Sequence, residues 1–348
     1  MSAVWNPAKY MAGAFGNSRN RAAFDLLAKT KDAACLSNLD VRNVLDLGCG
    51  PGNITANLKY AFPGASILGI DSSLSMIDTA KHTHANVDDI SFGISSIEEV
   101  SLADKDIKFD VIYCNAALHW VLNHQQLLPN IMKNRLKKNG LFAFQMPDTR
   151  TQMSHLLMEE AAKRIGAHDE MFKNLNGICS KIRIPRVEED PQYYAEIFHE
   201  MNSDTKLVTM DHWATEYVHH LPIDPLSTGT GTGVSGVSND YEIESDTDTS
   251  KCFLWPAEHP VCGWTSSSGL LPIAEFLGKN APVSDPIARK RYERYMQEYN
   301  KLLYRHYPPM STHQMSSTNN SSYQSNLGSH YVMLGYKRYF CIVSQCEP

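Results

Sequence analysis

Asp46, Gly48, Gly50 and Gly52 stand in the order D-x-G-x-G-x-G at the end of the strand-like run NVLDL, residues 43–47. Glycines at this spacing permit a tight turn and let a ligand approach the backbone closely, and the helix that follows favours an anion at its N-terminus. In the dinucleotide form of such a turn, G-x-G-x-x-G, the third glycine would fall at position 53, which is Asn53. A carboxylate just ahead of the turn would also repel a pyrophosphate, whereas it suits a cationic or amine-bearing ligand. Asp71 lies 21 residues beyond Gly50 and ends a second strand-like run, where such folds place an acid for ribose hydroxyls. The literal G-x-G-x-x-G at Gly231, Gly233 and Gly236 has no strand before it and no helical pattern after it, so it reads as linker.

S-adenosylmethionine (SAM) meets these terms: it carries an ammonium, a sulfonium and a ribose, and no phosphate. The elements that must position the turn alternate regularly. Strand-like NVLDLG (43–48), ASILGID (65–71), ISFGI (90–94), FDVIYCNAAL (109–118) and LFAFQMP (141–147) are separated by helical NITANLKYAF (53–62), SLSMIDTAKHT (73–83) and HQQLLPNIMKNRLKKNG (124–140), the last stopped by Gly140. Strand alternating with helix at this spacing predicts an α/β, Rossmann-like, doubly wound parallel sheet.

After residue 150 the pattern turns helical, with strands expected at 205–220 and 331–345. These two suit an antiparallel hairpin at the sheet edge around an inserted helical cap. The expected organisation is a core with an N-terminal lid segment over 1–150, a cap part with a connecting helix over 151–204 and a core edge strand over 205–222. A Ser/Thr/Gly-rich and then acidic insertion follows over 223–252, a helical cap over 253–310, a Ser/Asn/Gln-rich loop over 311–329 and the final core strand over 330–348. The two polar stretches are expected to be disordered, because they bury too little apolar surface to offset the entropy of ordering.

The 348 residues are 43% hydrophobic with a formal net charge of −6, enough apolar mass for a large core and no electrostatic footprint of a nucleic-acid binder or a membrane patch. The basic helical stretch 287–308 reads as a solvated face with Tyr292, Tyr295, Tyr299 and Leu302 packed inward. The N-terminal MSAVWNPAKYMAGAF lacks the basic start and apolar run of a secretory signal, and no stretch reaches 18 apolar residues. Eight scattered cysteines without a CxxC pair suit reduced thiols in a cytoplasmic protein, and no HExxH or metal-spaced Cys/His cluster occurs.

Beyond the glycine turn, WNPAKY (5–10), RNRAAFDLLAK (19–29), LDLGCGPGN (45–53), GIDSSLSMI (69–77), NAALHW (115–120), QMPD (145–148), TEYVHHLP (215–222), GWTSSSGLLP (263–272) and RYFCIVS (338–344) resemble the trans-aconitate 2-methyltransferase family. The glycine turn is common to the wider SAM-dependent class, while WNP, NAALHW and QMPD are more specific. The resemblance implies a class I methyltransferase fold and a cofactor site of Asp46, Gly48, Cys49, Gly50, Asp71 and Ser72, with Asp71 on the ribose and Asn115 and Ala116 beside the methionine moiety. Where relatives carry Asp after the third strand to meet the adenine amine, this chain has Ser96, with Glu98 or Glu99 as the alternative.

The resemblance also implies methyl-ester formation on a small carboxylic acid, trans-aconitate or a relative. A carboxylate with an unperturbed pKa near 4 is ionised at neutrality, so direct displacement needs neither a general base nor a metal. Positioning of that kind supplies roughly 7–11 kcal/mol. Binding a tricarboxylate calls for cations and donors: Arg19 and Arg21 near the N-terminal cover, His219 after the sixth strand and Arg338 entering the last, with Trp5, Tyr10, His119 and Trp120 as walls. Arg19 and Arg21 serve equally well as surface caps of a helix, and Trp5 as an anchor for the N-terminal segment. Where relatives have Arg in a GLRP segment, this chain has Leu271, which leaves another free or carrier-bound acid as the competing substrate class. A non-catalytic SAM-binding module is the third reading. The partners expected are a small acid, with no nucleic acid and no membrane, for a monomer or homodimer.

Overall fold

The computed structural model describes residues 16–103, 107–168, 191–204, 208–223, 258–266, 270–277, 285–311 and 330–345. The chain divides into two compact units, one formed by Met1–Arg150, Ile184–Glu216 and Lys337–Pro348, the other by Thr151–Arg183 and Tyr217–Tyr336.

The first unit begins with helix α1 (Gly16–Leu36), followed by β1 (Asn43–Leu47), α2 (Asn53–Ala61), β2 (Ser66–Asp71), α3 (Leu74–Thr83), β3 (Ile90–Ile94), α4 (Ile97–Leu102), β4 (Phe109–Asn115), α5 (His124–Arg135) and β5 (Leu136–Pro147). Helix α7 (Pro191–Asp204) also belongs to it. Strands β6 (Val208–Ile223) and β8 (His330–Gln345), each divided between the two units, complete the sheet, in the order β3-β2-β1-β4-β5-β8-β6; the short β7 (Met310–Ser311), in the second unit, pairs with β8 at Tyr331 and His330 off that path. β1 pairs parallel to both β2 and β4, and β4 to β5, whereas β8 runs antiparallel to β5. The strand order therefore reverses between β1 and β4, which opens a crevice at the carboxyl ends of those two strands.

The central strands are near-continuous apolar runs because helices cover both faces. On one face Leu45, Leu47, Ile112, Cys114, Phe142 and Phe144 pack with Leu128, Ile131 and Met132 of α5 and Tyr194, Ile197 and Phe198 of α7. On the other face Tyr113 is fully buried and donates from its hydroxyl to the Ala23 carbonyl of α1 at 2.6 Å.

Three details differ from the sequence expectations. The helix expected to run to Gly140 ends at Arg135, and β5 starts at once with Leu136 against Phe109. Between that pair and Val111–Leu141 the register shifts; Asn139 takes φ 59°, and a Cβ at Gly140 would lie 2.9 Å from the carbonyl oxygens of Asp110 and Lys137. Gly140 is thus required by a bulge in β5 and not by a helix stop. Helix α4 was not expected, and β6 extends to Ile223, so His219 lies within the strand and not after it.

The second unit contains α6 (Met153–His168), α8 (Pro260–Ser266), α9 (Leu271–Leu277) and α10 (Pro286–His306). Tyr295 and Tyr299 of α10 are buried and donate to the carbonyls of Met158 and Ser154 on α6, both at 3.1 Å. Leu302 is buried and Tyr292 half-buried, while Arg289, Lys290, Arg294, Lys301 and Arg305 are exposed. The basic helix is therefore a solvated face over an aromatic seam. Apart from Ile223 and Ser311, the two polar stretches lie outside the described residues. Among the described residues no helix is long and apolar enough to cross a membrane.

Candidate active site

The turn after β1 is built by three glycines in left-handed conformations, Gly48 at φ 70°, Gly50 at 55° and Gly52 at 84°. They do different work. A Cβ at Gly48 would collide with the Ala117 side chain, and one at Gly52 would come within 2.8 Å of His84 and 2.9 Å of Phe92. At Gly50 nothing lies within 4 Å. Gly48 and Gly52 are required by packing, while Gly50 presents open backbone. The turn is tied to β2 by Cys49 N–H donating to Ile70 O at 2.9 Å and Gly50 N–H to Asp71 Oδ2 at 3.0 Å.

Asp71 also accepts from Ser73 N–H through Oδ1 at 2.8 Å. Each carboxylate oxygen retains a second lone pair for a ligand hydroxyl. Ser72, between these two hydrogen-bonded positions, is exposed. Burial raises the Asp71 pKa, opposed by the Ser73 and Gly50 amides. Asp46 is almost fully buried and accepts from the Thr55 hydroxyl of α2 at 2.7 Å. Burial pushes its pKa up to about 7; the Thr55 bond lowers it and the charge of Asp71 raises it further. Two desolvated carboxylates beside an open turn favour positive charge in a ligand. Cys49 is buried against both acids, which drives its thiol pKa up and keeps it protonated and unreactive.

At the end of β4, Asn115 faces Gln145 of β5, and the Gln145 amide nitrogen donates to Asn115 Oδ1. Ala116 takes φ 51°, uncommon for a residue with a side chain, and its N–H donates to Gln145 O at 3.0 Å. That reversal carries the chain into a 3₁₀ turn, Leu118–Trp120, where His119 is buried 5.0 Å from the Trp120 ring. His124 bridges this turn to α7: one ring nitrogen meets Leu118 O at 2.9 Å, the other the Tyr194 hydroxyl at 3.0 Å. Because a carbonyl only accepts, Nε2 carries the proton and the Tyr194 hydroxyl donates to Nδ1.

Ser96 caps α4. Its hydroxyl accepts from Glu99 N–H at 3.1 Å, and Glu99 Oε2 accepts from Ser96 N–H at 2.8 Å. The cap engages Ser96 as an acceptor and leaves its hydroxyl proton to donate. Glu98 and Glu99 are exposed.

The expected cofactor residues Asp46, Gly48, Cys49, Gly50, Asp71, Ser72, Ser96, Asn115 and Ala116 all fall in the first unit, at or just beyond the carboxyl ends of β1–β4. His119 and Trp120 follow β4 directly. Arg338 lies within β8 opposite Pro147 of β5, half-buried, and not at a strand entrance. His219 belongs to the second unit, with its ring 4.4 Å from that of Trp264. Arg21 is exposed on α1, Trp5 and Tyr10 lie outside the described residues, and nothing is described of the Arg19 or Leu271 side chains.

Thr55, His84 and His124 were given no site role from sequence, and Ala117 and Gln145 entered only as members of the NAALHW and QMPD segments. Only the α4 cap left a local signature, Ser96-Ile97-Glu98-Glu99. Arg150, a cation just past β5, forks onto Asp148 at 3.0 and 3.1 Å. Among the described residues no cluster of three His, Cys, Asp or Glu is arranged to hold a metal.

The reversal of strand order, the open glycine turn and the two acids beside it define a nucleoside-binding α/β core. A family described as "Methyltransferase domain" matches residues 40–216. The chain is 34% identical over 217 residues to a trans-aconitate 2-methyltransferase of Delftia acidovorans, covering 62% of this chain and 75% of that protein. It is also 34% identical over 226 residues to one from an Enterobacter species, covering 63% and 74%, and 34% identical over 233 residues to one from Klebsiella pneumoniae, covering 66% and 79%. The chain belongs to the trans-aconitate 2-methyltransferase family and is an enzyme of the SAM-dependent methyltransferase class.

The residues present fit SAM. Open backbone at Gly50 admits a ligand, Asp71 has lone pairs for ribose hydroxyls, and the acids compensate positive charge where a phosphate would be repelled.

Proposed function

We propose that this chain methylates a carboxylate of a small polycarboxylic acid, with trans-aconitate as the substrate. The observation that carries the reading is the pair of carboxylates, buried Asp46 and half-buried Asp71, flanking open Gly50, a cradle for a cationic nucleoside in a chain whose relatives bear that activity in their names.

SAM supplies a sulfonium-activated methyl group. The chain's own residues position and shield. Asp71 holds the ribose hydroxyls with the lone pairs its backbone bonds leave over, and Asp46, braced by Thr55, balances positive charge behind the turn. Asn115 and Ala116 form the wall at the reacting end, and His119 and Trp120 shield it from water. The acid arrives ionised, so no residue has to take its proton, and catalysis rests on alignment. Arg338 is the cation proposed to meet a second carboxylate.

The test is turnover with labelled SAM against trans-aconitate, cis-aconitate, isocitrate and simple dicarboxylates. The expected result is a kcat/KM for trans-aconitate at least tenfold above every other acid. A higher value for a dicarboxylate would transfer the assignment to that acid, in keeping with Leu271, and no transfer to any acid would overturn the reading.

A further inference from the structure

Gln145 is 1% exposed, and among the described residues its Oε1 has no hydrogen-bond partner. A buried amide oxygen without a donor costs about 1–3 kcal/mol, so an unmatched one needs a reason. The other end of the same amide is satisfied, since Nε2 donates to Asn115 Oδ1.

The sheet register places this oxygen. Asp46 is opposite Gly69 of β2 and Tyr113 of β4, and Tyr113 is opposite Ala143 of β5. Two residues further on each strand come Asp71, Gly48, Asn115 and Gln145. Side chains alternate along strands, so these four positions form one rung on one face at the carboxyl ends. Asp71 stands at one end of the rung and Gln145 at the other, three strand spacings or about 14 Å apart. The glycine turn and Asn115 lie between them. A nucleoside whose ribose sits on Asp71 and which runs along the rung brings its far end to the Asn115–Gln145 pair.

We propose that Gln145 Oε1 accepts a hydrogen bond from the α-ammonium of the bound SAM, and that Asn115 orients the amide for it. The inference rests on the cofactor assignment and is independent of which acid is methylated. Two ligand classes could reach this end of the rung. A fully ionised polycarboxylate offers only acceptors and would leave the oxygen unmatched. The amino-acid arm of SAM offers N–H donors carrying a full positive charge, which makes the bond strong. In the observed pairing Nε2 is spent on Asn115 Oδ1, which leaves the oxygen to the ligand; facing a carboxylate at position 145, the Asn115 amide turns to donate from Nδ2.

The test is calorimetric binding of S-adenosylhomocysteine and of methylthioadenosine, which shares the nucleoside but lacks the amino-acid arm, to the full chain and to Gln145→Leu and Gln145→Glu. For Gln145→Leu the expected result is an affinity for S-adenosylhomocysteine reduced about ten- to hundredfold, the range of a lost hydrogen bond to a charged group. Methylthioadenosine affinity stays within twofold, which also shows that the variant is folded around the nucleoside. Gln145→Glu retains or strengthens S-adenosylhomocysteine binding, since a carboxylate accepts from an ammonium. The proposal is overturned if Gln145→Leu leaves S-adenosylhomocysteine affinity unchanged or weakens both ligands equally. It is likewise overturned if Gln145→Glu abolishes S-adenosylhomocysteine binding. Failure of trans-aconitate as a substrate would leave this outcome untouched, because no acid takes part in the measurement.

Discussion

Replacing Gly50 by alanine separates ligand approach from packing, because Gly48 provides the control. Both glycines are left-handed, so an added Cβ costs about 1–2 kcal/mol of backbone strain at either position. At Gly50 that is the whole cost, since a methyl group there has no neighbour within 4 Å. At Gly48 the methyl meets Ala117, and the overpacking adds about 1–3 kcal/mol as the turn and the start of the 3₁₀ segment are pushed apart. Thermal unfolding should drop by about 2–4 °C per kcal/mol for a domain of this size, so Gly48→Ala should melt clearly below Gly50→Ala. Binding should separate the pair. If a ligand lies against the Gly50 backbone, the new methyl occupies its space, and S-adenosylhomocysteine affinity measured by calorimetry should fall by at least about a hundredfold, more than 2.7 kcal/mol. Gly50→Ala with normal affinity would mean that the ligand does not approach this backbone, and the cradle would be refuted. Gly50→Ala melting at or below Gly48→Ala would contradict the packing distinction.

Three further outcomes follow from the same geometry. In the ligand-free fold Asp46 holds its proton up to a pKa of about 7, above its unfolded value, so the folded state binds more protons between about pH 4 and 7 and stability falls as pH rises through that window. The sulfonium of SAM favours the ionised form, so SAM affinity should increase toward pH 7 and then level, and Asp46→Asn should flatten the profile; calorimetry across pH reads both. Ser96→Asp keeps an N-cap acceptor while supplying a carboxylate that can accept from an adenine amine, so stability should hold within about 0.5 kcal/mol and cofactor affinity rise severalfold; unchanged affinity would place the adenine away from this residue. His124→Ala removes two buried hydrogen bonds and strands Leu118 O and the Tyr194 hydroxyl, which should cost about 2–4 kcal/mol in denaturant unfolding, with His124→Gln recovering part; a loss under 1 kcal/mol would show that the turn is held some other way.

The sheet was legible because β1, β2 and β4 carry the apolar runs that burial on both faces demands, and because the switch-point turn has a local code in its glycines. The end of α5 was not. Leu136 and its neighbours continue a helical apolar rhythm, and only the pairing of Leu136 with Phe109, far along the chain, turns them into strand. Gly140 then looks like a stop when it is a bulge, since both readings need a residue without a side chain. The acids were legible by position, but the Thr55 brace on Asp46 depends on α2 folding back over β1, which no spacing rule encodes. His219 has the composition of a pocket residue, yet its neighbour Trp264 comes from a helix that the sequence places 45 positions away. The amide pair of Asn115 and Gln145 is visible only once the register of two strands 30 residues apart is known.

The fate of the methyl group decides whether this chain methylates trans-aconitate. Purified protein is incubated with SAM carrying a ¹³C-methyl group and an excess of trans-aconitate, and the products are followed by NMR. A single new ester-methyl resonance on trans-aconitate should appear, growing in step with S-adenosylhomocysteine. S-adenosylhomocysteine formed with the label on oxygen or nitrogen of another acceptor, or no label transferred at all, would contradict it.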